Sequence, residues 1–221
     1  MKSPEASAPG LQGMAHVLGT GLSTTAGPCT GCGAPLVSPV VCQECGAIFE
    51  IPADAFALFG FAPSWAVDLA ALEHRYDLLS RAFREKSARR GEASESIDEA
   101  VRALGAARRL LFDPLERARY LLKAYGGAER EKPVRKREFQ SEVMEIDQAA
   151  VKARKEGDSA RLAAVVLEAE EKLASAIVAA GQSFTRLERS LVDEVNAAAD
   201  ALAEAQFWRL KVDELRATLG G

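Results

Sequence analysis

Several residue types are confined to one part of this 221-residue chain, and their absence elsewhere limits what the protein can be. Cysteine occurs only between positions 29 and 45, proline is absent after Pro133, and no Lys or Arg lies between Ser3 and His74. No stretch approaches the roughly 18 uncharged apolar residues that a membrane span needs. Because Lys and Arg supply most nucleic-acid affinity, a net charge of −4 predicts a protein that binds neither nucleic acid nor a membrane.

The scarcity of basic residues near the start also bears on cellular location. After Lys2 the next basic side chain is Arg75, a pattern unlike a charged signal-peptide start or an Arg-rich transit segment. Disulfide scaffolds spread their cysteines through the fold, whereas two tight pairs in an otherwise cysteine-free chain indicate a metal site in a reducing compartment. We therefore expect a cytoplasmic protein.

Proline, glycine and the apolar pattern divide the chain into four predicted parts. The first is too poor in large apolar groups to offset its ordering entropy, and we predict that it is disordered. The second contains the cysteines, and the last two are helical. The predicted parts are a disordered tail (1–27), a cysteine module (28–52), a first helical domain (53–127) and a C-terminal helical domain (134–221). The fold class predicted is all-α.

Helices are indicated by apolar residues that recur at spacings of three and four. The clearest stripe consists of Leu69, Leu72, Tyr76, Leu79 and Phe83. Asp68 before it and Asp113-Pro114 further on are typical helix starts. The C-terminal part divides at Gly157-Asp158 and at Gly181 into three long segments. Short connections between long amphipathic helices imply antiparallel neighbours, which predicts a three-helix bundle.

Both cysteine pairs have the same pattern, which is Cys29-Thr-Gly-Cys32-Gly33 in the first and Cys42-Gln-Glu-Cys45-Gly46 in the second. A two-residue gap lets both thiolates of a pair bind one ion, and two pairs complete a tetrahedral four-sulfur shell. The spacing predicts a structural zinc ribbon with Cys29, Cys32, Cys42 and Cys45 as ligands. A redox dithiol and a four-thiolate iron or iron-sulfur site remain alternatives. Catalytic zinc is not expected, because the closed shell leaves no open position.

Four stretches of the chain resemble the iron-sulfur-cluster co-chaperone J-proteins of the HscB type, in the versions that begin with a four-cysteine domain. Phe56-Ala-Leu-Phe59-Gly60-Phe61 is similar to the opening F-x-L-F-G-L of that family, and Asp68-Leu-Ala-Ala-Leu72-Glu-His-Arg-Tyr76 to the start of its second helix. Asp113-Pro114-Leu115-Glu-Arg117-Ala118-Arg-Tyr120-Leu121-Leu122 is similar to D-P-L-x-R-A-x-Y-L-L, and Phe139-Gln-Ser-Glu142-Val143-Met144-Glu145-Ile146 to F-L-M-E-V-M-E-L. The resemblance implies a zinc ribbon, a J-domain and a three-helix bundle that binds a cluster scaffold protein.

The catalytic tripeptide of that family is missing. In the family, His-Pro-Asp after the second helix drives ATP hydrolysis by a DnaK-type chaperone, and the corresponding positions here are Arg84, Glu85 and Lys86. Glutamate in place of proline allows the helix to continue past Phe83. Lysine in place of aspartate repels the cationic partner that the aspartate would attract. The resemblance therefore implies a degenerate J-domain with weak or no ATPase stimulation.

Other positions on the first helical domain bear on the chaperone. Gly105 and Arg108 stand where the family usually has Asn and Tyr in its third helix. Arg75 and Arg81, together with Arg84, form either the basic face by which J-domains approach their chaperones or an ordinary solvated helix face. The chaperone-binding candidates are Arg75, Arg81, Arg84, Glu85 and Lys86.

In the family, the first bundle helix docks the scaffold protein through an apolar patch edged by carboxylates. The candidate scaffold contacts are Glu142, Met144, Glu145 and Ile146. Polar Gln140 and Ser141 replace large apolar residues of that patch, which weakens the expected contact. Ile146, like Phe139 and Val143, can instead belong to the bundle core, whereas Met144 lies off that stripe. Phe207-Trp208 has the same two interpretations.

Two functions from different classes follow. The first is a co-chaperone-like protein of iron-sulfur cluster assembly that links a scaffold protein to a DnaK-type chaperone. The alternative is a non-catalytic interaction or regulatory module that reuses this architecture, and a redox sensor built on the cysteines is a third option. No Ser-His-Asp constellation, catalytic carboxylate pair or phosphate-cradling glycine loop is present, so we do not expect an enzyme.

Overall fold

The structure is a computed structural model and describes residues 26–36, 39–42, 44–50, 52–90, 95–134, 136–189 and 194–219. Its elements are β1 (Ala26–Pro28), β2 (Pro35–Leu36), α1 (Ala55–Leu58), α2 (Leu69–Arg90), α3 (Glu95–Phe112), α4 (Pro114–Ala124), α5 (Arg137–Glu156), α6 (Ser159–Arg189) and α7 (Val195–Leu219). The chain divides into two compact units, residues 1–62 and 63–221. The predicted all-α class is confirmed.

The first unit contains the cysteine module and α1. Strands β1 and β2 are antiparallel, with Ala26 opposite Leu36. The module therefore begins before Pro28, and the prediction that residues 26 and 27 belong to a disordered tail is wrong because they pair with β2. The rest of the predicted tail, residues 1–25, lies outside the described residues. Helix α1 starts at the N-cap Asp54, whose carboxylate accepts a hydrogen bond from the Ala57 amide at 2.6 Å.

The second unit begins with α2, α3 and α4, which pack in sequence order. Both predicted helix starts are confirmed. Asp68 accepts a hydrogen bond from the Ala71 amide at 3.0 Å, and Asp113 accepts from the Leu115 amide at 2.8 Å. Helix α2 extends to Arg90, so the expected continuation past Phe83 is also confirmed.

Helices α5, α6 and α7 form the predicted bundle, and α4 packs against both α6 and α7. The division at Gly157-Asp158 is confirmed, since Gly157 ends α5 with φ +66° and Asp158 caps α6. The predicted division at Gly181 is wrong, because α6 continues through it to Arg189. None of the described helices has the length and apolar composition that crossing a bilayer requires.

The glycine at 181 is explained by packing rather than by a helix end. The Trp65 indole lies directly against it, so a Cβ at 181 would stand 2.8 Å from Trp65 Cε2. The same ring stacks on Phe184 with centroids 5.6 Å apart and an interplanar angle of 10°. Only a residue without a side chain therefore allows the indole to lie flat on α6.

Trp65 also contacts α4. The Arg117 guanidinium lies 5.1 Å from the centre of the indole ring and donates a hydrogen bond to the Leu111 carbonyl. The Trp65 amide donates to Glu188 Oε1 at 2.5 Å. We name these residues, Trp65, Arg117, Gly181, Phe184 and Glu188, the Trp65 cluster. Because they come from α4, α6 and the segment before α2, the cluster joins the start of the second unit to its bundle.

Replacing Gly181 by alanine is expected to destabilise the second unit. Helix propensity alone favours alanine by about 1 kcal/mol, but forcing a methyl group into a packed site costs about 1 to 3 kcal/mol. The matched control is Gly105→Ala in α3, where the added Cβ meets only the Arg109 guanidinium at 3.9 Å. Urea unfolding should show a lower midpoint for Gly181→Ala and a higher one for Gly105→Ala. Equal gains in both variants would show that Trp65 does not pack on Gly181.

Candidate metal centre and docking groove

The four cysteines of the first unit lie together. Their Sγ atoms all fall within 4.8 Å of one another. The Sγ atoms of Cys29 and Cys45 are 3.6 Å apart, as are those of Cys32 and Cys42. Each short distance therefore joins one cysteine of the first pair to one of the second, as a single shared site requires.

The two cysteine pairs have the same backbone geometry. Cys29 donates its amide to the Ala34 carbonyl at 2.8 Å, and its carbonyl accepts from the Gly33 amide at 2.8 Å. Cys42 makes the equivalent bonds, because its amide donates to the Ala47 carbonyl and its carbonyl accepts from the Gly46 amide. Glycine is required at the turn, because Gly33 has φ +74° and Gly46 has φ +68°. The repeated Cys-x-x-Cys-Gly pattern thus folds into two matching turns whose thiols converge.

The surroundings of the thiols shift the pKa values of Cys29 and Cys32 in opposite directions. Burial raises the pKa of Cys29, but the backbone N–H groups of Gly31 and Cys32 and the neighbouring thiols outweigh it and lower that pKa to about 7. The backbone N–H of Ala34 lowers the pKa of Cys32, but the Cys45 thiol and burial outweigh it and raise that pKa to about 12. Four thiolates this close repel one another, so all of them ionise together only around a cation.

A metal ion fits this site. A tetrahedral shell with metal–sulfur bonds of about 2.3 Å has sulfur–sulfur separations of about 3.8 Å, close to the two observed distances of 3.6 Å. The donor set is all sulfur, which suits zinc or iron and disfavours hard cations. The four predicted ligands are therefore brought together as a group that can hold one metal ion.

The chaperone-binding candidates lie on α2. Arg81, Arg84 and Glu85 are exposed, and the side chain of Lys86 lies outside the described ones. Arg75 is nine residues before Arg84, which is about 2.5 helical turns and places it on the opposite side. Of the two interpretations, a single basic face formed by all three arginines is therefore wrong, and an ordinary solvated helix face stays a prediction.

The scaffold-binding candidates on α5 differ in accessibility. Ile146 is 1% exposed and belongs to the bundle core, so it is not available to a partner and the prediction of a contact there is wrong. The alternative interpretation as core is confirmed for Ile146 and Phe139, whereas Val143 is only partly buried. The Glu142 carboxylate accepts a hydrogen bond from Lys172 at 2.6 Å. Met144 is 56% exposed and Glu145 is exposed, so these two remain accessible.

An open groove of about 810 Å³ runs between α5 and α7 beside Met144. We name it the docking groove. Its apolar lining includes Val143 and Met144 on α5 and Phe207 and Leu210 on α7. Phe207 therefore faces the groove, whereas Trp208 is 1% exposed and belongs to the core. The core interpretation is therefore confirmed for Trp208, and the partner contact of Phe207 stays a prediction.

Leu210 was not identified from the sequence. It is 70% exposed and lies at the edge of the docking groove. A signal was present, because Leu210 falls off the apolar stripe of α7 that includes Val212 and Leu215. A large apolar residue outside the buried stripe of an amphipathic helix indicates a contact surface when a second one lies nearby.

The architecture is an HscB-like fold with an N-terminal four-cysteine module, as two solved structures show. Human co-chaperone protein HscB superposes with a TM-score of 0.64 at 23% identity, over 86% of this chain and 98% of that one. Chaperone HscB from Vibrio cholerae superposes with a TM-score of 0.58 at 24% identity, over 75% and 96%. No family model and no curated protein matches the sequence significantly. At these sequence identities, the similarity to the two structures establishes the fold alone.

Proposed function

We propose that this protein is a co-chaperone-like component of iron-sulfur cluster assembly. It binds a cluster scaffold protein and links it to a DnaK-type chaperone, with weak or no stimulation of ATP hydrolysis. The observation that carries the proposal is the docking groove, an exposed apolar surface beside Glu145 on the first bundle helix of an HscB-like fold.

The chemistry of the docking groove suits a protein partner. Met144 and Leu210 together expose two large apolar side chains next to the partly exposed ring of Phe207. Burying about 50 to 100 Å² of each is worth about 1 to 2.5 kcal/mol per side chain. Gln140, Asp147 and Gln206 line the same groove, so it is partly polar. We infer a contact that depends on Met144 and Leu210.

Fewer features of the structure support a contact with the chaperone than support a contact with the scaffold. Positions 84–86 lie inside α2 rather than in a loop after it. Arg84 donates its Nε to the Ser80 carbonyl at 3.1 Å, which ties this side chain to its own helix. A helix in this place cannot present a turn to the chaperone, so we infer that any remaining contact does not trigger hydrolysis.

We further infer that the four thiolates hold zinc in a structural role. The buried Cys29 and Cys42 form a small core together with Leu36, so a metal bound by them stabilises a module that buries few apolar residues. Such a site supplies binding energy and requires reduced thiols, which favours a cytoplasmic location.

Substitution in the docking groove tests the proposal. Met144→Asp and Leu210→Asp should each weaken binding of the purified iron-sulfur scaffold protein by about tenfold or more, because a buried carboxylate replaces an apolar contact. Isothermal titration calorimetry measures the change. The matched control is Leu167→Asp, at an exposed leucine on α6 outside the groove, which should bind normally. Absence of scaffold binding by the wild-type protein at micromolar concentration would refute the proposal.

A second candidate function is a non-catalytic interaction module. The replacement of the tripeptide by a continuous helix favours it, since nothing in α2 retains the turn that chaperone activation uses. The same calorimetry separates the two candidates. A wild-type protein that binds neither the scaffold nor the chaperone would favour the non-catalytic interaction module.

A further inference from the structure

The four thiols of the cysteine module differ in their exposure to solvent. Cys29 is 3% exposed and Cys42 is 1% exposed, whereas Cys32 and Cys45 are exposed. Each sulfur–sulfur contact of 3.6 Å joins a buried thiol to an exposed one, because Cys29 contacts Cys45 and Cys42 contacts Cys32. An oxidant that approaches from solvent therefore reaches an exposed sulfur first, and a buried thiol is already in contact with that sulfur.

Gly31 lies beside the contact between Cys29 and Cys45. Its amide N–H donates to Cys29 Sγ at 3.3 Å. The glycine is exposed, and a Cβ added to it would lie 3.7 Å from both sulfurs. A residue with a side chain would therefore place atoms against this pair of thiols, and glycine leaves that space open to solvent.

We propose that the cysteine module is an oxidation site for peroxides, and that the disulfides formed there join its two Cys-x-x-Cys-Gly turns. We name them the cross-turn disulfides, which are Cys29–Cys45 and Cys32–Cys42. Disulfides within one turn, Cys29–Cys32 and Cys42–Cys45, are not the products. The proposal does not depend on scaffold binding or on which metal the thiolates hold.

Each disulfide consumes one peroxide. The exposed Cys45 sulfur attacks a peroxide oxygen, the O–O bond breaks, and Cys45 becomes a sulfenic acid while the hydroxide that leaves is protonated to water. The Cys29 sulfur then attacks the Cys45 sulfur, so the S–S bond forms, the S–O bond breaks and a second water leaves. Two thiols thus lose two electrons and two protons, and hydrogen peroxide is reduced to water. Cys32 and Cys42 react with a second peroxide in the same way.

Oxidation in this pattern replaces one link between the turns by another. A metal ion needs thiolate ligands, so it is released when the disulfides form. The two disulfides are nested, because the partners are 10 residues apart in the inner one and 16 apart in the outer one. Such cross-links restrict the unfolded chain and thereby stabilise the fold. We therefore expect the oxidised module to lose its metal and to remain folded.

Peroxide treatment of the full chain tests the proposal. The reduced, zinc-loaded protein receives a small excess of hydrogen peroxide, and the remaining thiols are then blocked with N-ethylmaleimide. Trypsin does not separate the cysteines, because no Lys or Arg lies between them. Cleavage at Leu36 and after Glu44, followed by electron-transfer fragmentation, distinguishes the pairings. The expected products are the two cross-turn disulfides, with one zinc ion released per chain to a chromogenic chelator.

Hydrogen exchange measures whether the module stays folded. Amides of residues 26–62 should remain protected in the oxidised protein, and they should lose protection in a reduced control whose zinc has been removed with EDTA. Dithiothreitol together with zinc should restore the four thiols and the bound metal.

Met144 provides an internal reference for the peroxide dose, because its side chain is 56% exposed and is oxidised to the sulfoxide. Disulfides within one turn, or sulfinic and sulfonic acids in place of disulfides, would overturn the proposal. So would four remaining thiols at a dose that oxidises Met144, or an oxidised module whose amides exchange as rapidly as those of the EDTA-treated control.

Discussion

Replacing Cys42 by serine is expected to remove the metal and to unfold residues 26–62. Cys42 is 1% exposed and belongs to the small core that also contains Cys29 and Leu36. A module of this size buries too little apolar surface to fold alone, and structural zinc contributes about 10 to 16 kcal/mol of apparent binding energy in small zinc modules. Three thiolates do not close the shell, so most of that energy should be lost.

Elemental mass spectrometry and hydrogen exchange measure the two consequences. Wild type should contain one metal ion per chain and Cys42→Ser essentially none. Amides in residues 26–62 should exchange rapidly in the variant, while those of α5 to α7 stay protected. The control is Thr30→Ser, an exposed position between the first two cysteines, which should keep both metal and protection. A Cys42→Ser protein that retains stoichiometric metal would show that the four cysteines do not form one site.

Replacing Trp65 by alanine is expected to lower the free energy of unfolding of the second unit by about 3 kcal/mol. This value lies at the lower end of the range for buried aromatic residues, because the ring is only partly buried. The change removes the stack on Phe184 and exposes α6 at Gly181. It also removes the ring that covers Arg117, which is 7% exposed and whose Nε has no hydrogen-bond partner among the described residues. Urea unfolding measures the loss.

A double-mutant cycle makes this prediction specific. With tryptophan at position 65, Gly181→Ala should destabilise the protein, and with alanine there it should stabilise it, because the overlapping ring is gone. Phe112→Ala is the control for loss of an aromatic ring, and at an exposed site it should change stability by less than about 0.5 kcal/mol. If Gly181→Ala has the same effect in both backgrounds, the Trp65 cluster is not formed as described.

Features that depend on near neighbours in the chain could be predicted. The two Cys-x-x-Cys-Gly turns are set by five-residue patterns, and the caps at Asp68 and Asp113 by bonds to amides two or three residues away. The bundle followed from the spacing of apolar residues. The same holds for the continuation of α2 past Phe83, because proline is absent there.

Features that depend on distant residues could not be predicted. The sequence alone indicates a helix end at Gly181, because the residue that explains this glycine, Trp65, is far away in the chain. The sequence also leaves Ile146 as a candidate contact, because only the packing of the neighbouring helices shows which side of α5 is buried. The docking groove combines Met144 with Leu210 from another helix, so only part of it was visible in the sequence.

We expect this protein to bind the scaffold protein without stimulating the chaperone. Single-turnover ATP hydrolysis by the cognate DnaK-type chaperone, measured with and without this protein and with the scaffold present, tests this expectation most directly. A co-chaperone that has the His-Pro-Asp tripeptide serves as positive control. We expect the scaffold to be bound and the hydrolysis rate to be unchanged by this protein. A severalfold acceleration that disappears when Arg84, Glu85 and Lys86 are replaced by alanine would contradict this expectation.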